Sequence, residues 1–112
     1  MPRMLLGELE HLVLLAIVRL GDDAYGAAII GEIEAHTKRD VSHAATYLAL
    51  QRLQAKGLIL ARKVSVETER GGRPRATFSL TRFGHTRLAD SGAALFAMWS
   101  GVNPALRSRG RS

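Results

Sequence analysis

Residues 58–80 read LILARKVSVETERGGRPRATFSL. The fold turns on this stretch, because the apolar pattern changes period here. Residues 58–68 are rich in Leu, Ile and Val and read as a strand. ATFSL at 76–80, with Phe78 and Leu80 alternating, reads as a second strand. Between them lies ERGGRPR, residues 69–75, read as the turn of a hairpin. Gly71 and Gly72 allow positive φ and close backbone approach. Pro74 has no N–H for a ladder, so the turn is expected to include it.

Working outward, the segments before the hairpin have a helical period. Leu9, Leu12, Val13, Ala16, Ile17 and Leu20 form one stripe, ended by Gly21. GDDAYG follows as turn chemistry, with Asp22 or Asp23 able to cap a second helix over about 24–36, which carries Tyr25, Ile29 and Ile33. Ser42 can cap a third helix that Gly57 closes. After the hairpin, Thr81 can cap a last helix ending near Ser100. The expected order is helix, helix, helix, strand, strand, helix, with no repeat and one core. It is mainly α with a small β-hairpin. Residues 1–80 form the body, 81–101 the last helix, and 102–112 a basic tail expected to be disordered.

Charge is distributed unevenly over the 112 residues, whose formal net charge is +6. Residues 1–40 hold seven acids and four bases, net −3, whereas residues 41–112 hold three acids and twelve bases, net +9. No acid occurs from Val41 to Val66. Such asymmetry points to a polyanionic partner, nucleic acid ahead of membrane. The apolar run Leu12–Val18 is far short of the ~20 residues that span a bilayer. With no cysteine there is no disulfide framework or thiolate metal site, which fits the cytoplasm. The four histidines are scattered and suggest no metal site, and nothing calls for a cofactor. The sequence lacks Gly-x-Ser-x-Gly, His-Glu-x-x-His and the Gly-Lys-Ser/Thr of a phosphate loop, so no catalytic site is expected.

Three helices and a hairpin are the plan of a winged helix-turn-helix, in which the third helix enters the major groove of double-stranded DNA. On a wheel, Ala45, Thr46, Ala49, Leu50 and Leu53 face inward. The outer face carries Ala44, Tyr47, Leu48 and Gln51, with Ser42 and His43 at the tip. Gln51 can pair with adenine, Leu48 or Ala44 can touch a thymine methyl, and Tyr47 can donate to a phosphate. Tyr47 can equally be a spacer between helix and hairpin, and Leu48 can pack within the chain. The hairpin carries Arg62 and Lys63 on its first strand, Arg70, Gly72 and Arg73 in its turn, and Arg75 beyond. On the last helix Leu88, Gly92, Leu95 and Trp99 form a heptad-like seam flanked by Phe96. A second subunit is its natural cover, and folding back onto its own domain is the alternative.

Several spaced signatures then resemble the PadR-like family of bacterial transcriptional regulators over about residues 6–99. They are Leu-Gly-x-Leu-Glu at 6–10, Ala-Tyr-Gly at 24–26, and the run Tyr47, Leu50, Arg52-Leu53, Lys56-Gly57. Gly71-Gly72-Arg73 and Leu80-Thr81-x-x-Gly84 follow in order. The resemblance implies a winged-helix repressor, homodimeric through its last and first helices, on a pseudo-palindromic operator. It implies DNA reading by Ser42, His43, Ala44 and Tyr47, and backbone or minor-groove contact by Arg70, Gly72, Arg73 and Arg75. It also implies, in some members, a small apolar or aromatic effector between the two last helices, here beside Phe96 and Trp99. The chain departs from the family's usual residues at Ala44, Thr46 and Leu48. Two other readings remain: an RNA-binding basic domain built on the RGG of residues 70–72, and a winged helix used only for protein contacts.

Overall fold

The computed structural model describes residues 6–66 and 73–102. The first helix, α1, is Glu8–Leu20, and Gly21 ends it at φ 61° with its N–H bonded to the Ile17 carbonyl. That left-handed backbone favours glycine. Gly21–Asp23 then forms one 3₁₀ turn. The second helix, α2, is Gly26–Thr37, and neither Asp22 nor Asp23 caps it. The cap position is Tyr25, with no side-chain hydrogen bond, because the 3₁₀ turn uses the aspartates two residues too early. Tyr25 therefore precedes the helix, outside the Ile29 and Ile33 stripe in which its spacing had placed it.

The third helix, α3, is His43–Ala55, capped as expected by Ser42, whose hydroxyl accepts from Ala45 N–H at 3.1 Å. Two strands follow, β1 Ile59–Val66 and β2 Arg73–Leu80, paired antiparallel from Ile59 opposite Leu80 to Val66 opposite Arg73. The second strand thus starts three residues earlier than its alternating pattern suggested. Pro74 lies in the ladder opposite Ser65, not in the turn. A two-stranded ribbon is all edge, and an edge tolerates a residue without an N–H. The last helix, α4, is Arg82–Trp99. Residues 103–112, the bulk of the expected disordered tail, lie outside the described residues.

One core joins these elements. Val13, Leu14 and Ile17 of α1 meet Ile29 and Ile33 of α2, Ala49, Leu50 and Leu53 of α3, and Leu58 and Ile59 at the hairpin base. Each such aliphatic side chain, fully withdrawn from water, stabilises the fold by roughly 1.5–3 kcal/mol. Thr46 is also fully buried, and its hydroxyl donates to the Ser42 carbonyl at 2.8 Å, so its polar atom is satisfied inside the helix.

Two of the spaced signatures hold this arrangement in place. Thr81 accepts from Gly84 N–H at 2.9 Å, capping α4, and donates to the Gly57 carbonyl at 2.7 Å. A Cβ on Gly84 would collide with the Leu58 carbonyl, so α4 can start against the end of α3 only with glycine there. Next to this joint, Glu10 sits near Lys56 Nζ at 3.1 Å and Arg52 Nε at 3.8 Å, tying α1 to the end of α3.

Candidate nucleic-acid interface

The inward and outward faces of α3 separate as its spacing predicts. Thr46, Ala49, Leu50 and Leu53 are buried, while Ser42, His43, Ala44, Tyr47, Leu48 and Gln51 are exposed. Leu48 is 53% exposed and lies outside the core. Tyr47 is 46% exposed, and its ring rests on Gly26 at the start of α2. A Cβ on Gly26 would come within 2.7 Å of the Tyr47 ring, so the ring can lie this close only over a glycine and would shift for any larger residue. The outer face of α3 is thus a shallow surface of small, neutral side chains around a supported phenol. Its hydroxyl, imidazole and amide groups are of the types that meet base edges and phosphates.

Beside it stands the hairpin. Arg62 pairs in register with Thr77, and Val64 with Arg75, so Arg62 and Arg75 share one face. Lys63, opposite Ala76, is on the other face. All three cations are exposed, and none has a carboxylate partner among the described residues. Arg75 instead lies over the Tyr25 ring, its guanidinium carbon 3.8 Å from the centroid. Arg70 and Gly72 lie outside the described residues, and of Arg73 only the backbone position in β2 is described.

Tyr25 was missed as a site residue. The available signal was its place directly before a helix-starting glycine, where an aromatic side chain can face a neighbouring strand. Here it forms an antiparallel bridge with Thr77, and the Ala24 carbonyl accepts from Phe78 N–H at 2.8 Å. The Ala-Tyr-Gly signature thereby adds a third short segment to the edge of the hairpin.

The last helix divides at Ser91. Leu88 packs on the core of its own chain, and Ser91 is buried, its hydroxyl 2.9 Å from His11 Nδ1 on α1. Burial pushes the His11 imidazole below its ordinary value. Beyond, Gly92 is half-buried, whereas Leu95, Phe96 and Trp99 are exposed, Phe96 to 77%. An open hollow of about 430 Å³ is flanked by Phe96, Trp99 and Val102. Among the described residues no group of three or more His, Asp or Glu could hold a metal, and no helix is long and apolar enough to cross a membrane.

A three-helix body with an antiparallel hairpin and an unobstructed third helix defines the winged helix. The sequence profile of the Transcriptional regulator PadR-like family matches residues 14–90. This chain belongs to the PadR-like family. Family members are transcriptional regulators that bind DNA and are not enzymes. A PadR family transcription regulator from hypervirulent Clostridium difficile R20291 is 22% identical, with a TM-score of 0.72 over 89% of this chain and 99% of that one. A PadR family regulator from Eggerthella lenta is 25% identical, with a TM-score of 0.65 over 88% and 86%. Bacillus subtilis PadR, solved in complex with operator DNA, is 24% identical. Its TM-score is 0.60 over 73% of this chain and 45% of that one. No curated protein matches the chain significantly.

Proposed function

We propose that this PadR-like regulator is a sequence-specific repressor that acts in the cytoplasm as a homodimer on a pseudo-palindromic operator. The observation that carries the reading is the presence of two features on one domain: the exposed, acid-free outer face of α3, and hairpin cations with no carboxylate partner among the described residues. In this reading Ser42, His43, Ala44, Leu48 and Gln51 meet base edges, and Tyr47 meets a phosphate. Arg62, Lys63 and Arg75, continued by Arg70, Gly72 and Arg73, hold the sugar–phosphate backbone. The exposed seam of Leu95, Phe96 and Trp99, with Gly92 allowing close approach, meets its copy in the second subunit. That pairing sets two α3 helices about one DNA turn, ~34 Å, apart. A small apolar or aromatic effector fits between the two copies of Phe96 and Trp99, releasing the operator.

Selection from a random duplex pool tests the reading. It should return a site with two related half-sites, and duplex DNA should outcompete RNA. Affinity should fall steeply and linearly on a log–log salt plot, as several phosphate contacts require. Salt-insensitive binding, or preference for RNA, would reject the reading in favour of a protein-contact or RNA-binding domain.

A further inference from the structure

The Ala24-Tyr25-Gly26 segment touches both halves of the interface, and no role in DNA contact has so far been given to it. Gly26 seats the Tyr47 ring of α3, and Tyr25 lies under the Arg75 guanidinium of β2. The segment itself is fixed to the hairpin through the Tyr25–Thr77 bridge and the hydrogen bond from Phe78 N–H to the Ala24 carbonyl. The ring beneath Arg75 is therefore held from the backbone and is half-buried.

A guanidinium stacked on an aromatic face is attracted through the ring's quadrupole, and its N–H groups all lie in its own plane. Stacking consequently orders the side chain without occupying a donor. An unsupported arginine loses considerable rotamer freedom when it binds a phosphate, and ordering it beforehand removes part of that loss. Arg75 is exposed, and among the described residues no carboxylate occupies its donor edge. Lys63, on the opposite face of the ribbon, has no aromatic support recorded among the described residues.

We propose that Tyr25 is a positioning residue for DNA binding: its ring holds the Arg75 guanidinium flat and presents its N–H edge, already ordered, to a backbone phosphate. The inference rests on the duplex-DNA reading above. It also makes Ala-Tyr-Gly the element that keeps the hairpin's arginine and the third helix's tyrosine in fixed relation, through two adjacent residues.

A double-mutant cycle on the full chain tests it, using a mixed-sequence duplex as probe and fluorescence anisotropy as readout. Tyr25→Leu should weaken binding roughly two- to fivefold, the scale of one exposed cation–π contact. Tyr25→Phe, which keeps the aromatic face, should bind within about twofold of the unsubstituted chain. In an Arg75→Ala background, Tyr25→Leu should have almost no further effect. In the free protein, the Arg75 side-chain proton resonances should carry a ring-current shift that Tyr25→Leu abolishes and Tyr25→Phe keeps, which also reports on folding of each variant. Additive losses from Tyr25→Leu and Arg75→Ala, or absence of the ring-current shift, overturn the positioning role while leaving the DNA reading intact. Absence of duplex binding by the unsubstituted chain overturns the DNA reading and this inference with it.

Discussion

Several cations of the helical body are paired with carboxylates, whereas, among the described residues, those of the hairpin are not. On the body, Arg39 meets Glu8 at 3.3 Å, Arg19 meets Glu32 at 2.7 Å, and Arg52 and Lys56 converge on Glu10. On the hairpin, Arg62 and Lys63 have no carboxylate among the described residues, and Arg75 rests on a ring. The sequence divides into an acidic first part and a basic remainder, but the folded molecule does not. Glu8, Glu10 and Glu32 lie across from cations of the body, including Arg52 and Lys56 at the end of α3, while Glu34 accepts from Val41 N–H. Among the described residues the cations left without a carboxylate are Lys38 and Arg82 on the body and those of the ribbon. Net charge therefore measures how much cation exists, and only the packing decides how much is left for a partner. The pairs on the body, mostly exposed, each contribute little to stability. Their larger effect is on where the remaining field lies.

The largest effect should come from disturbing the body itself. Gly84→Ala drives a methyl group into the Leu58 carbonyl and should lower stability by about 2–3 kcal/mol in urea unfolding, since backbone gives way less easily than a side chain. Unchanged stability would mean that α4 is not held against the end of α3. Next comes the outer half of α4. Leu95→Glu should convert dimers to monomers in sedimentation, with operator binding lost and the monomer's melting largely preserved, because Leu95 lies outside its own core. A variant that remains dimeric would move the seam elsewhere.

The comparison between the two cation sets has a direct measurement. Arg62→Ala and Lys63→Ala should each lower the log–log salt slope of duplex binding by about one, with little change in melting temperature. Arg52→Ala should leave the slope unchanged and cost less than about 1 kcal/mol of stability. Equal slopes for all three would erase the distinction. The smallest effect concerns pH. The folded His11 imidazole titrates below its ordinary value of 6.5, so the unfolded chain takes up the proton first on acidification. Its contribution is complete above about 6.5 and declines as pH falls toward the folded value. Melting temperature should fall modestly between about pH 7.5 and 5.5, and His11→Gln should flatten that fall. Glu32 works in a separate window. Its carboxyl is held below 4.5, chiefly by the Arg19 hydrogen bond, so its share is lost only under more acidic conditions.

Much of the fold, and which residues of α3 face outward, could be read from periodicity. The helical stripe of α1, the two faces of α3, the caps Ser42 and Thr81, and the existence of the hairpin all followed from local spacing and side-chain chemistry. The misreadings arose where the deciding partner lies far along the chain. Pro74 looked like a turn residue because its tolerance depends on which strand edge is free. Tyr25 fitted a helical spacing, yet the Gly21–Asp23 turn shifts the helix start and the ring turns to the hairpin. Leu88, placed in the seam by heptad spacing, is partly buried against its own core as well. The pairing of Glu10 with Lys56 spans forty-six positions and leaves no local trace.

The joint of Thr81 and Gly84 with Gly57 and Leu58 has a mechanical consequence. It fastens the first turn of α4 to Gly57 and Leu58, the residues that directly follow the end of α3. In a two-fold pair built on the outer half of α4, each α4 is then a rigid arm with its own reading helix bolted near one end. A few degrees of rotation where the arms cross would swing both reading helices through the same angle, changing their separation while deforming neither domain. Anything wedged between the arms, or removed from between them, would be registered at the DNA as a change of span.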